Sequence, residues 1–72
     1  MKYIIENYVF DQVTVSIYRN KSKKKYAAKY EIYIQANNKK RFVFGVNDIQ
    51  EIDIPCLYYS GYFDSEIQEI CK

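Results

Sequence analysis

Tyr26-Ala27-Ala28-Lys29-Tyr30-Glu31-Ile32-Tyr33-Ile34-Gln35, then Asn37-Asn38-Lys39-Lys40, then Arg41-Phe42-Val43-Phe44-Gly45-Val46, carries the pattern of a strand, a tight turn and a second strand. In its first part Tyr26, Ala28, Tyr30, Ile32 and Ile34 alternate with Ala27, Lys29, Glu31, Tyr33 and Gln35. A period of two puts one set on the dry face of a strand and the other on the wet face. Asparagine tolerates the left-handed backbone that tight hairpins demand, so residues 37–40 read as a turn. Residues 41–46 then predict another strand, with Phe42, Phe44 and Val46 on one face.

Working outward, residues 3–10 are rich in β-formers and interrupted only by Glu6 and Asn7, and Asp11-Gln12 offers a turn. Val13, Val15 and Ile17 alternate with Thr14, Ser16 and Tyr18, the clearest half-buried strand in the chain. Asn20-Lys21-Ser22-Lys23-Lys24-Lys25 has nothing apolar to bury and reads as a solvated loop. Downstream, Asn47-Asp48 can cap a helical turn or lead into a strand over residues 49–54. The reading favoured is a short helical turn followed by a brief edge strand that Pro55 ends. Gly61 marks a reversal or the end of a helical turn. Ser65 with Gln68 has capping-box spacing, and Ile67, Ile70 and Cys71 recur at helical spacing, which predicts a short C-terminal helix. The expected fold is α+β: a four- to five-stranded antiparallel β-meander with that helix, in a single small domain over residues 1–72.

Composition excludes whole classes of function. At 72 residues and 8.7 kDa the core is thin; a chain this size buries only about 60% of its unfolded surface, too little to wall a deep cleft. With 49% hydrophobic and 18% aromatic residues it is not a disordered tail. The absence of histidine removes Ser/His and Cys/His pairs, the imidazole base and the histidine metal ligand. Glu51, Asp53, Asp64, Glu66 and Glu69 sit among turn and helix signals where acids face water, so no enzyme is expected. Cys56 and Cys71 cannot by themselves close a tetrahedral zinc site. They are expected as free thiols, small buried hydrophobes beside Leu57 and Ile70, and neither metal nor cofactor is expected. No apolar run has the length of a signal peptide or membrane span, so the expected location is the cytoplasm, of a host cell if the chain is phage-encoded. Ile, Lys, Tyr and Asn supply 10, 9, 9 and 5 residues. All four have AT-rich codons, so part of the lysine excess is compositional.

Charge is distributed unevenly. Residues 1–46 carry ten basic side chains against Glu6, Asp11 and Glu31, whereas residues 47–72 carry Lys72 against six acids: +7 and −5, summing to the +2 of the chain. The basic set, Lys21, Lys23, Lys24 and Lys25 on one loop and Lys39, Lys40 and Arg41 on the other connection, falls at opposite ends of a meander. It suits charge steering or nucleic-acid contact, with Tyr18, Tyr26, Tyr30 and Tyr33 available for stacking. No RNP-like motif, helix-turn-helix or zinc finger is present. Nine tyrosines exceed what this core can bury with each hydroxyl satisfied. Tyr58, Tyr59, Tyr62 and Phe63 around Gly61, with Asp53 and Asp64 beside them, resemble an aromatic interface centre with an acidic rim. The sequence is therefore read as a binding protein with a protein partner: an accessory protein of a phage or mobile element that inhibits host nucleic-acid-handling machinery. The alternatives are direct nucleic-acid binding through the lysine loop and a structural subunit. A homodimer is preferred to a monomer.

Overall fold

The computed structural model describes residues 2–20 and 28–71. Strands β1 (Lys2–Val9), β2 (Thr14–Asn20), β3 (Tyr30–Ala36) and β4 (Lys39–Val46) form one antiparallel sheet in the order β1-β2-β3-β4. Tight connections produce this meander. Phe10 and Val13 exchange backbone hydrogen bonds of 2.8 and 3.3 Å across Asp11-Gln12. Asn37 and Asn38 take φ of 54° and 63°, the paired left-handed geometry whose twist matches that of the strands it joins. A single turn of 3-10 helix (Ile49–Glu51), α1 (Ile54–Tyr59) and α2 (Asp64–Ile70) follow. The α+β class, the meander and the short C-terminal helix are those the sequence predicts, with four strands. No described helix is long and apolar enough to cross a membrane.

Period-two alternation sends Val15 and Ile17 of β2, with Val13 ahead of them, and Ile32, Ile34 and Ala36 of β3 to one face. There they are covered by Ile54, Phe63 and Ile70, and all nine side chains are buried. Phe63, without exposed surface, enters this core from the turn between the helices. Truncating a buried phenylalanine to alanine typically costs about 3–5 kcal/mol, comparable to the whole stability expected of a domain this small, about 3–5 kcal/mol.

Several boundaries differ from the sequence reading. β3 starts at Tyr30, and residues 26 and 27 lie outside the described residues. The Lys29 carbonyl still accepts from the Asn20 N–H of β2 at 2.8 Å, but the Lys29 N–H is diverted to Asn47 Oδ1 at 3.1 Å, and Lys29 falls outside the strand. A Cβ at Gly45 would come within 2.7 Å of Ala28 Cβ, so only glycine allows this approach. β4 starts at Lys39, because the turn consumes two residues rather than four. No edge strand forms over residues 49–54. Asp48 Oδ1 accepts from the Gln50 N–H at 3.0 Å and starts the 3-10 turn. Asp53 Oδ1 accepts from the Cys56 N–H at 3.2 Å and caps α1. Pro55 thus opens a helix instead of ending an element, since in the first turn its missing N–H has no carbonyl to meet. The Ser65/Gln68 capping box does not form: Asp64 is already helical and Phe63 holds the cap position without a side-chain hydrogen bond.

Gly61 connects the helices. Its φ of 88° is the left-handed conformation that terminates α1, with Gly61 N–H donating to the Tyr58 carbonyl (3.2 Å) and Tyr62 N–H to that of Leu57 (3.0 Å). This 5→2 and 6→1 pair is a Schellman cap. An added Cβ would also meet Asp64 Oδ2 at 3.1 Å. Gly61→Ala is expected to lower unfolding free energy by about 1–2 kcal/mol, read as an earlier urea midpoint. An unchanged midpoint would contradict the assignment of this cap.

Candidate functional site

Two surfaces bring side chains together. The first lies on the helical layer. Tyr59 and Tyr62 are 78% and 53% exposed, Tyr59 at the last turn of α1 and Tyr62 just past the glycine cap. Between Tyr62 and Asp53 opens a shallow groove of about 400 Å³ lined by Phe44, Ile52, Asp53, Cys56, Leu57 and Tyr62. The Tyr62 ring meets Phe44 edge-on at 5.9 Å, which ties this surface to β4. Tyr58 lies flat on Phe10, with centroids 4.0 Å apart and planes 4° apart, and Tyr59 stands edge-on to both rings. Asp53 and Asp64 are exposed beside these rings. Burial first, then a hydrogen bond and the charge of Glu6, then the charge of Asp53, hold the Tyr8 phenol above its usual 10.0, so it is neutral at physiological pH.

Of the five residues predicted to contact a partner, Tyr59, Tyr62 and Asp64 are exposed and Tyr58 is half-buried. Phe63 is fully buried and serves the core instead. The sequence reading missed Phe10, Phe44 and Ile52, which arrive from the first hairpin, β4 and the segment before α1. Nothing in the spacing around Gly61 points to them. Cys56 and Cys71 are free, as expected, but exposed rather than buried, because the apolar side of each helix is taken by Ile54 and Ile70.

The second surface is the sheet face opposite the helices. Here a β-bulge overturns the sequence reading of β4. The register pairs Ile32 with Phe44 but Tyr33 with Phe42, leaving Val43 as the extra residue. Phe42 therefore does not share a face with Phe44. It joins Tyr33 and Tyr18 on the side that no described helix covers, in a row with centroid distances of 5.0 Å (Tyr18–Tyr33) and 5.5 Å (Tyr33–Phe42), each edge-to-face. The Lys40 ammonium stands 3.9 Å from the Tyr18 centroid and 5.1 Å from that of Tyr33. Below the row Ser16 is buried, donating to Asn7 Oδ1 at 2.6 Å.

The predicted basic set does not form one patch. Arg41 pairs with Ile34 in register and so faces the helices. There it forms an ion pair with the buried Glu66 Oε2 that is not an aligned hydrogen bond. Lys40 faces the opposite way, and Lys39 is exposed at the start of the strand. Lys21, Lys23, Lys24 and Lys25 lie outside the described residues, as does Tyr26. Tyr30 is on the helix side, with the Arg19 guanidinium 5.0 Å above its ring, and takes no part in the row. Among the described residues no cluster of His, Cys, Asp or Glu is placed to hold a metal ion. The chain matches no family model, no curated protein and no solved structure.

Proposed function

We propose that the protein is a non-enzymatic binding protein that engages a protein partner through the surface of α1 and the α1–α2 turn. The observation that carries this reading is Tyr62, 53% exposed, on the wall of an apolar groove edged by Asp53, with Tyr59, 78% exposed, on the same helical layer. Large rings with little conformational entropy to lose, standing beside an apolar groove, are the usual centres of protein interfaces. The acidic half of the chain supplies the charge on this side, so the partner surface that complements it is basic. Proteins that handle nucleic acid carry such surfaces to hold phosphate. A small protein that covers one acts as an inhibitor, the role an accessory protein of a phage or mobile element would play toward host machinery.

Self-association belongs to the same reading. β1 is the outermost strand on its side of the sheet, and its Ile4, Ile5 and Val9 are 48%, 42% and 77% exposed. An apolar edge of this kind readily pairs with its own symmetry mate. Light scattering at moderate salt is expected to give twice the 8.7 kDa chain mass; a monomer mass at high protein concentration would remove the dimer.

The interface test uses a partner captured by the intact chain from host lysate and then purified. Tyr59→Ala and Tyr62→Ala are expected to weaken its binding by about 2 kcal/mol each, mainly through faster dissociation. Asp64→Asn, and Lys23, Lys24 and Lys25 changed to Gln, should alter association rate and salt dependence with little effect on dissociation. If the tyrosine variants bind as the parent does while the lysine variant loses binding, the interface has been placed on the wrong surface.

A further inference from the structure

We infer that the uncovered sheet face, centred on Tyr18, Tyr33 and Phe42, is a binding platform for single-stranded nucleic acid. This surface is separate from the tyrosines of the helical layer and needs none of them.

The three rings come from three adjacent strands on the same side of the sheet. Neighbouring strands are about 4.8 Å apart, and the rings follow that spacing, with centroids 5.0 and 5.5 Å apart. Phe42 is 48% exposed, and Tyr18 and Tyr33 are half-buried, so the row is rooted in the sheet and open above. Edge-to-face packing between neighbours fixes each ring and turns successive rings through 72° and 70°. A single strand has unstacked bases that can lie on such rings, and stacking on aromatic side chains accepts any base. A duplex has no free base face to offer, and its grooves admit a helix or a two-stranded ribbon rather than the flat of a four-stranded sheet.

Charge selects this occupant over an apolar one. Lys40 places an ammonium among the rings, and an apolar partner would have to desolvate it without compensation. A second copy laid face to face about a twofold would bring its own Lys40 into the same cluster. A nucleotide of a single strand supplies the phosphate anion and the base together. By register Asn7, Thr14 and Gln35 lie on the same face and add neutral hydrogen-bonding groups, while Ile4 and Val9 of β1 add exposed apolar surface at its edge. Glu31, which accepts from Tyr33 Oη at 3.3 Å, is the carboxylate this face carries among the described strand residues. Residues 1–46 of the sequence have a balance of +7, which favours approach of a polyanion.

The test is fluorescence anisotropy of the full chain with labelled twelve-nucleotide oligo(dT) and oligo(U) at low salt, with the corresponding duplex as control. The parent should bind the single strands and prefer them to the duplex. Tyr33→Leu and Phe42→Leu keep apolar bulk but remove a stacking ring. Each should weaken binding roughly 5- to 100-fold with the circular dichroism spectrum and urea midpoint retained, while Tyr33→Phe should bind as the parent does. Lys40→Gln should lower affinity and reduce the slope of log K against log salt by about 0.7. Tyr59→Ala and Tyr62→Ala should leave oligonucleotide binding unchanged, which separates this platform from the proposed protein interface. The proposal is overturned by a folded parent that binds no oligonucleotide at low salt. It is equally overturned by ring variants that bind undiminished, by equal affinity for duplex, or by a dimer that Phe42→Leu dissociates, since a second copy would then be the occupant.

Discussion

A four-stranded sheet has two faces, and the helical segment of this chain covers one of them. That one-sided burial is held by Phe63, which enters the core from the turn between α1 and α2 and fastens the helical layer to β2 and β3. Gly61 makes the turn that aims it, and Asp53 caps the helix that leads to it. Remove the ring and the helices lose their largest fully buried side chain. The aromatic residues then fall into two populations by geometry alone, those on the helical layer and those on the bare side of the sheet.

The bulge in β4 decides what the bare side carries. Without Val43 as an extra residue, Phe42 would stay in phase with Phe44 and point at the helices. With it, Phe42 joins Tyr18 and Tyr33, while Arg41 turns inward to Glu66 and Lys40 outward to the rings. One inserted residue thus fills the open face with rings and a cation, and gives the covered face an ion pair at its rim. That ion pair is partly exposed and contributes little stability, about 0–1 kcal/mol; its consequence is to take one of three consecutive basic side chains out of any polyanion site.

Alternation and turn chemistry made the meander legible from residues alone. The hydrophobic sets of β2 and β3 are in strict period two, and Asn37-Asn38 admit one kind of hairpin. Where the reading failed, a tertiary contact overrode a local pattern. The bulge leaves no mark in the alternation of residues 41–46, because Phe42 and Phe44 are apolar on either face. Pro55 reads as a terminator until Asp53 is seen capping the helix it starts. Ser65 and Gln68 have the spacing of a cap, but α2 begins two residues earlier, with the buried Phe63 in the cap position. The clustering of tyrosines near Gly61 was visible, whereas the groove beside them needed Phe44 and Ile52, which approach from distant points in the chain.

The two-faced burial itself is open to direct measurement by proton NMR of the isolated chain with a soluble paramagnetic relaxation agent, together with nuclear Overhauser contacts to assigned rings. The account predicts that the ring signals of Phe42, Tyr18 and Tyr33 are strongly broadened by the agent, that those of Phe63 and the methyls of Ile54 are spared, and that Phe42 shows contacts to Tyr33 and none to α1 or α2. Protection of the Phe42 ring, with contacts to helical protons, would place it in the core, abolish the bulge and contradict the account.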